Sequence, residues 1–169
     1  MIAVETGNVF QYHNSSQRPI ARIRYVDTPY GVNSLGYKVN YYSDIDGDGS
    51  YSFDESNLEF KGNNSILSYD WGFGVPPGVK NSFMFKAQYY GYFYANFTGL
   101  YTFFVSKDPT NKAKFLMSNS VFAPSGLLAA HVLCEDWDSN NTSEVIDGSI
   151  NLTEGTWYAW RLDYANIHT

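Results

Sequence analysis

Residues 91–103 read "GYFYANFTGLYTF", and the fold turns on how this stretch is read. Aromatic side chains crowd residues 92–94 and 101–104, and between them lies Asn96-Phe97-Thr98-Gly99, with the turn formers Asn and Gly. On a pleated strand successive side chains face opposite ways. Tyr92 and Tyr94 therefore share one face, and Tyr101 and Phe103 share one face of the returning strand. Two aromatic strands joined by a short turn make an antiparallel hairpin. Gly91 lets the first strand pack closely on a neighbour, and Gly99 supplies the turn.

The same period of two runs outward from this hairpin. It recurs in residues 20–27, 36–44, 83–95, 100–105, 112–117 and 156–164, all of which read as strands. Turn signals separate them at 27–31, 62–65, 75–78, 96–99, 108–111, 146–149 and 153–156. Residues 125–137, "SGLLAAHVLCEDW", are compatible with either helix or strand. Short strands punctuated this regularly predict an all-β, antiparallel β-sandwich of jelly-roll type. Residues 36–169 form its body. Residues 1–35 are read as an N-terminal extension, because "AVETGNVFQYH" alternates without an obvious hairpin partner nearby.

Composition agrees with this class. Aromatics make up 18% of the 169 residues while charged residues are only 17%, a balance suited to packed sheets. The net charge of −6 argues against nucleic acid or an anionic membrane as partner. No apolar run approaches the roughly 20 residues that span a bilayer. The opening "MIAVETGNVF" has neither a basic segment nor a long apolar stretch, so it reads as a cytosolic start or as a mature product or fragment. Asn-x-Ser/Thr sites decide between these. They occur at Asn14, Asn63, Asn96, Asn140, Asn141 and Asn151, against about two expected by chance from the Asn, Ser and Thr content. The excess favours an extracellular, glycosylated chain. Cys134 stands alone and reads as a small buried hydrophobe, with an intermolecular bridge as the alternative.

Residues 44–55, "DIDGDGSYSFDE", match the calcium-loop pattern. Asp44, Asp46 and Asp48 alternate, Gly49 stands where a sharp turn needs positive φ, and Ser50 and Ser52 offer further oxygens. Glu55 closes the loop as a bidentate carboxylate. Three acids this close repel one another unless a cation offsets them. Strand-forming flanks leave no helix pair to open, so the expected ion is a structural Ca2+ and not a switch. Tyr51 is the one unusual residue, standing where an aliphatic is normal.

From residue 36 onward the chain resembles a PA14 domain, the β-sandwich module of toxins, yeast flocculins and glycoside-active proteins. The resemblance rests on "GYKVNYY" (36–42), residues 67–106 around the opening hairpin, and "INLTEGTWYAWRLDYAN" (150–166). It implies a sandwich fold and, in carbohydrate-binding members, two adjacent aspartates after the strand matching "LYTF" here. Those aspartates are joined by a cis peptide and ligate a calcium that holds a sugar. This chain departs from that pattern in "VSKDPTNK" (105–112): Asp108 is present, but Lys107 stands in the other place.

No nucleophile motif, phosphate loop or zinc spacing accompanies these features. His13, His131 and His168 are scattered. Glu135, Asp136 and Asp138 surround Trp137 in a way that imitates a glycosidase pair or a second cation site, although an acidic loop around a packed Trp explains them as well. The expectation is a non-enzymatic extracellular glycoprotein subunit that assembles with copies of itself into a filament, coat or stalk through a donated N-terminal strand. The alternative is a calcium-dependent adhesin or lectin module that binds glycans.

Overall fold

The computed structural model describes residues 11–13, 18–20, 37–43, 51–64, 76, 78–80, 84–118, 127–128, 131–137 and 143–167. Ten strands run through them in chain order: β1 (Gln11–His13), β2 (Arg18–Ile20), β3 (Tyr37–Ser43), β4 (Leu58–Asn64) and β5 (Met84–Tyr94), then β6 (Gly99–Ser106), β7 (Lys112–Met117), β8 (Val132–Asp136), β9 (Val145–Leu152) and β10 (Trp157–Ile167). Six form one sheet in the order β4-β3-β5-β10-β7-β8, and β6 pairs with β9 in a second. Neighbours in both sheets are antiparallel. The all-β sandwich expected from the alternation is the fold observed.

The stretch expected as a hairpin is instead an arch between the two layers: β5 pairs with β3 and β10 and β6 with β9, not with each other, because their aromatic faces pack against one another across the sandwich. β5 lies inside the large sheet and β6 in the small one, so residues 91–103 turn the chain from one sheet to the other. Phe93 on β5 meets Tyr101 and Phe103 on β6 edge to face, at 5.4 and 5.3 Å between ring centres. Phe103 also contacts Phe115 on β7 at 5.4 Å. Around them lie Tyr37, Tyr41, Phe85, Tyr89, Trp160 and Leu162, all buried. Burial of each such side chain stabilises the fold by roughly 1.5–3 kcal/mol, so the inner faces of the two sheets are the main source of cohesion.

The turns close with named bonds. Tyr101 Oη accepts from the Phe97 N–H at 3.0 Å and donates to the Phe97 carbonyl at 2.9 Å. Tyr158 Oη accepts from the Thr153 N–H at 2.9 Å. The β9–β10 turn carries Gly155 at φ 77°, the left-handed region that glycine enters freely.

Three further sequence expectations are corrected. Residues 146–149, read as a turn, lie inside β9. Ile146 is buried, and a Cβ on Gly148 would stand 2.3 Å from the Leu133 carbonyl, so this glycine serves close sheet-to-sheet approach and not a reversal. Residues 62–64, read as a turn, complete β4 against β3. The N-terminal alternation does have a local partner: β1 pairs with β2, with Gln11 opposite Ile20. The ambiguous 125–137 stretch contributes β8. Residues 21–27 and the boundary at residue 35 lie outside the described residues.

Candidate functional site

β6 ends at Ser106, and its alternation carries on into the next residue. Val105 points into the sandwich, Ser106 points out, and Lys107 therefore points in again. The Lys107 N–H donates to the Glu144 carbonyl at 2.9 Å, which holds this strand-like geometry. β8 alternates in the same way: Cys134 and Asp136 face inward while Glu135 is exposed. The two inward charges meet. Lys107 Nζ lies 2.6 Å from Asp136 Oδ2, with side chains 0% and 2% exposed. The ammonium also donates to the carbonyls of Asp108 and Pro109, both at 3.4 Å.

The turn after Lys107 holds itself together. Asp108 Oδ1 accepts from the Thr110 N–H at 3.1 Å and from Thr110 Oγ1 at 2.8 Å, and the Asn111 N–H donates to the Asp108 carbonyl at 3.0 Å. Asn111 then ties the turn to β10, donating to Tyr164 Oη at 2.6 Å and accepting from the Ile167 N–H at 3.0 Å. The calcium site implied by the PA14 resemblance does not fit these residues. An ammonium stands among the oxygens, Asp108 is bound to Thr110, and no cis peptide occurs among the described residues. A second positive charge at this place would be repelled.

The opposite face of the large sheet carries a second polar cluster. Cross-strand register aligns Asn40, Gln88, Asp163, Lys114 and Glu135 across β3, β5, β10, β7 and β8. Asp163 is fully buried and accepts from Gln88 Nε2 at 3.1 Å, from Arg161 Nε at 3.1 Å and from Tyr51 Oη. Burial raises its carboxyl above the ordinary value, against the opposing pull of Arg161, Tyr51 and Gln88. Burial also raises the Tyr51 phenol, reinforced by the Asp163 charge. Arg161 reaches the Leu127 carbonyl at 3.1 Å and Tyr51 Oη at 3.0 Å. Lys114 sits 4.0 Å from the Tyr51 ring centre, and Trp137 meets that ring edge to face at 5.0 Å. Tyr51, the unusual residue of the acidic loop, is thus the peg that fixes the loop's second half to the sheet.

The remaining expected site residues are scattered over the surface and the core. Asp44, Asp46, Asp48 and Ser50 lie outside the described residues. Ser52 accepts through its carbonyl from Lys86 Nζ at 3.4 Å. Glu55 pairs with Lys61 at 3.3 Å on the surface and opens the single-turn helix Glu55–Asn57, capped by Asp54. Asn96 and Asn151 are exposed, and Asn63 falls in β4. Asn14, Asn140 and Asn141 are outside the described residues. Glu135 and Asp136 face opposite sides and join different ion pairs, Glu135 with Lys114 at 2.8 Å, so they do not form a carboxylate pair. Asp138 is outside the described residues. Cys134 is buried, its thiol pushed up to about 12 by desolvation, as a core residue would be. Asp163 and its partners were missed, although an Arg and an Asp two residues apart in an aromatic strand were a readable signal.

The two antiparallel sheets form a sandwich of the PA14-like class. The GLEYA domain model matches residues 85–169, β5 through β10, and the chain belongs to that family. Among solved structures, the Epithelial Adhesin 9 A domain from Candida glabrata, in complex with Galβ1-3GlcNAc, is 17% identical with a TM-score of 0.59. The match covers 87% of this chain and 83% of that one. A subtype-switched Epithelial Adhesin 9 to 1 A domain from the same organism, in complex with β-lactose, has a TM-score of 0.60 at 17% identity, covering 88% and 81%. No curated protein matches the chain. Among the described residues no helix is long and apolar enough to cross a membrane, and no group of three or more His, Cys, Asp or Glu is placed to hold a metal.

Proposed function

We propose that this chain is a non-enzymatic, carbohydrate-binding domain of an extracellular or cell-surface adhesin. The observation that carries the reading is membership of the GLEYA family across β5–β10, the strands that frame the Lys107 turn. The shared fold with adhesin domains solved in complex with galactosyl disaccharides supports it and points to a galactose-type glycan as partner. The filament reading has no comparable support; of the N-terminal extension it would draw on, Gln11–His13 pairs within its own chain.

The acidic loop is a structural site in this reading. Asp44, Asp46, Asp48, Ser50, Ser52 and Glu55 hold one Ca2+, and Tyr51 transmits the order of the loop to Asp163 and Trp137. Asn96 and Asn151 carry glycans at exposed positions. The test is a glycan array with the folded, calcium-loaded chain, read alongside a galactose competition. Saturable binding that free galactosides displace is expected. A folded protein that binds nothing on a galactoside-rich array would falsify the reading.

A further inference from the structure

We infer that Lys107 is a built-in cation that takes the place of a divalent ion at the end of the sandwich. The position binds no calcium, and glycan recognition there does not depend on it. The second part rests on the carbohydrate-binding reading above; the first does not.

Calcium takes six to eight oxygens at about 2.3–2.6 Å, several of them carboxylate. Here the oxygens converge on nitrogen instead. The Asp136 carboxylate and the carbonyls of Asp108 and Pro109 all lie within 2.6 to 3.4 Å of Lys107 Nζ. The pair is sealed from water, so the ammonium cannot leave without exposing a carboxylate buried to 2%. The neighbouring acid is already engaged, since Asp108 Oδ1 accepts from the Thr110 N–H and hydroxyl, and these bonds compete with its use as a ligand. A cation–carboxylate contact between β6 and β8 is what a bound metal would supply to this corner, and the chain supplies it covalently attached. The consequence is a corner that stays closed whatever the calcium concentration outside.

The experiment is a calorimetric calcium titration of three proteins. They are the wild type, Asp108→Asn with the loop intact, and a loop-neutral Asp46→Asn/Asp48→Asn variant. Asn keeps the oxygen that accepts from Thr110, and residue 108 is exposed, so the first variant retains the fold. Wild type and Asp108→Asn are expected to bind calcium identically, and the loop-neutral variant to bind none. A loss on the order of tenfold or more in affinity on Asp108→Asn overturns the inference. So does calcium binding that survives in the loop-neutral chain. Should that variant not fold, Asp108→Asn alone decides. Glycan binding is then compared between wild type and Asp108→Asn on the same array. Equal binding is expected, a selective loss contradicts calcium independence, and no binding by either protein removes the carbohydrate reading while the titration still decides the lysine claim.

Discussion

Asp136 and Asp163 are both buried carboxylates on the same six-stranded sheet, yet they are stabilised in opposite ways. Asp163 faces the outer side and draws donors from three places: Arg161 on its own strand, Gln88 on β5 and Tyr51 from the acidic loop. Asp136 faces the interior and takes its countercharge from Lys107, across the gap between the sheets. A distributed site loses stability in steps when one donor goes. A site built on a buried ion pair loses more at once when its cation is removed, because a charge sealed from water then lacks its countercharge. The distributed site suits a place where a loop docks, and the concentrated one suits a corner that must stay shut.

That contrast predicts the largest effect at Lys107. Lys107→Met should cost about 3–5 kcal/mol in chemical denaturation, since it removes the countercharge of the buried Asp136. Adding Asp136→Asn should recover part of the loss by removing the buried charge; no recovery, or a first loss below about 1 kcal/mol, breaks the comparison. Tyr51→Phe comes next. Asp163 keeps Gln88 and Arg161, so the cost should be about 1–2 kcal/mol, with a change in Trp137 emission because its ring neighbour is freed.

The pH dependence sharpens the same point. Asp163 is raised above its ordinary 3.8, so the folded state holds that proton more tightly than the unfolded chain. Its contribution is present below the ordinary value and is lost as pH rises through the raised one. The stability of wild type relative to Asp163→Asn should therefore fall as pH climbs from below 3.8. A difference that grows with pH would mean Arg161 outweighs burial. The smallest effect belongs to Glu55→Gln in chelator: its pair with Lys61 is exposed, and exposed pairs contribute about 0–1 kcal/mol. In excess calcium the same substitution should lower the melting temperature markedly, and equal effects in both buffers would remove Glu55 from the calcium loop.

How much of this was legible depended on distance along the chain. The two strands and the turn within 91–103 are readable because alternation and turn residues are local, and the same pattern repeated leads to the sandwich; that the strands face each other across the layers and do not pair is set by β3, β9 and β10, distant in the chain. Residues 146–149 misled for an equally local reason: Asp-Gly signals a turn, whereas Gly148 is required by the Leu133 carbonyl on another strand. The lysine at 107 was visible as a departure, but its partner Asp136 lies across the sandwich and had no local signal. Tyr51 stands out in the sequence only as an unusual residue of the loop, and its role emerges from register on β10 and β5.

The most direct test is an anomalous difference map from crystals soaked in terbium as a calcium mimic. The account predicts a peak within residues 44–55, and Lys107 Nζ at ion-pair distance from Asp136 with no peak beside it. A peak at Asp108, with the lysine turned out to solvent, would contradict it.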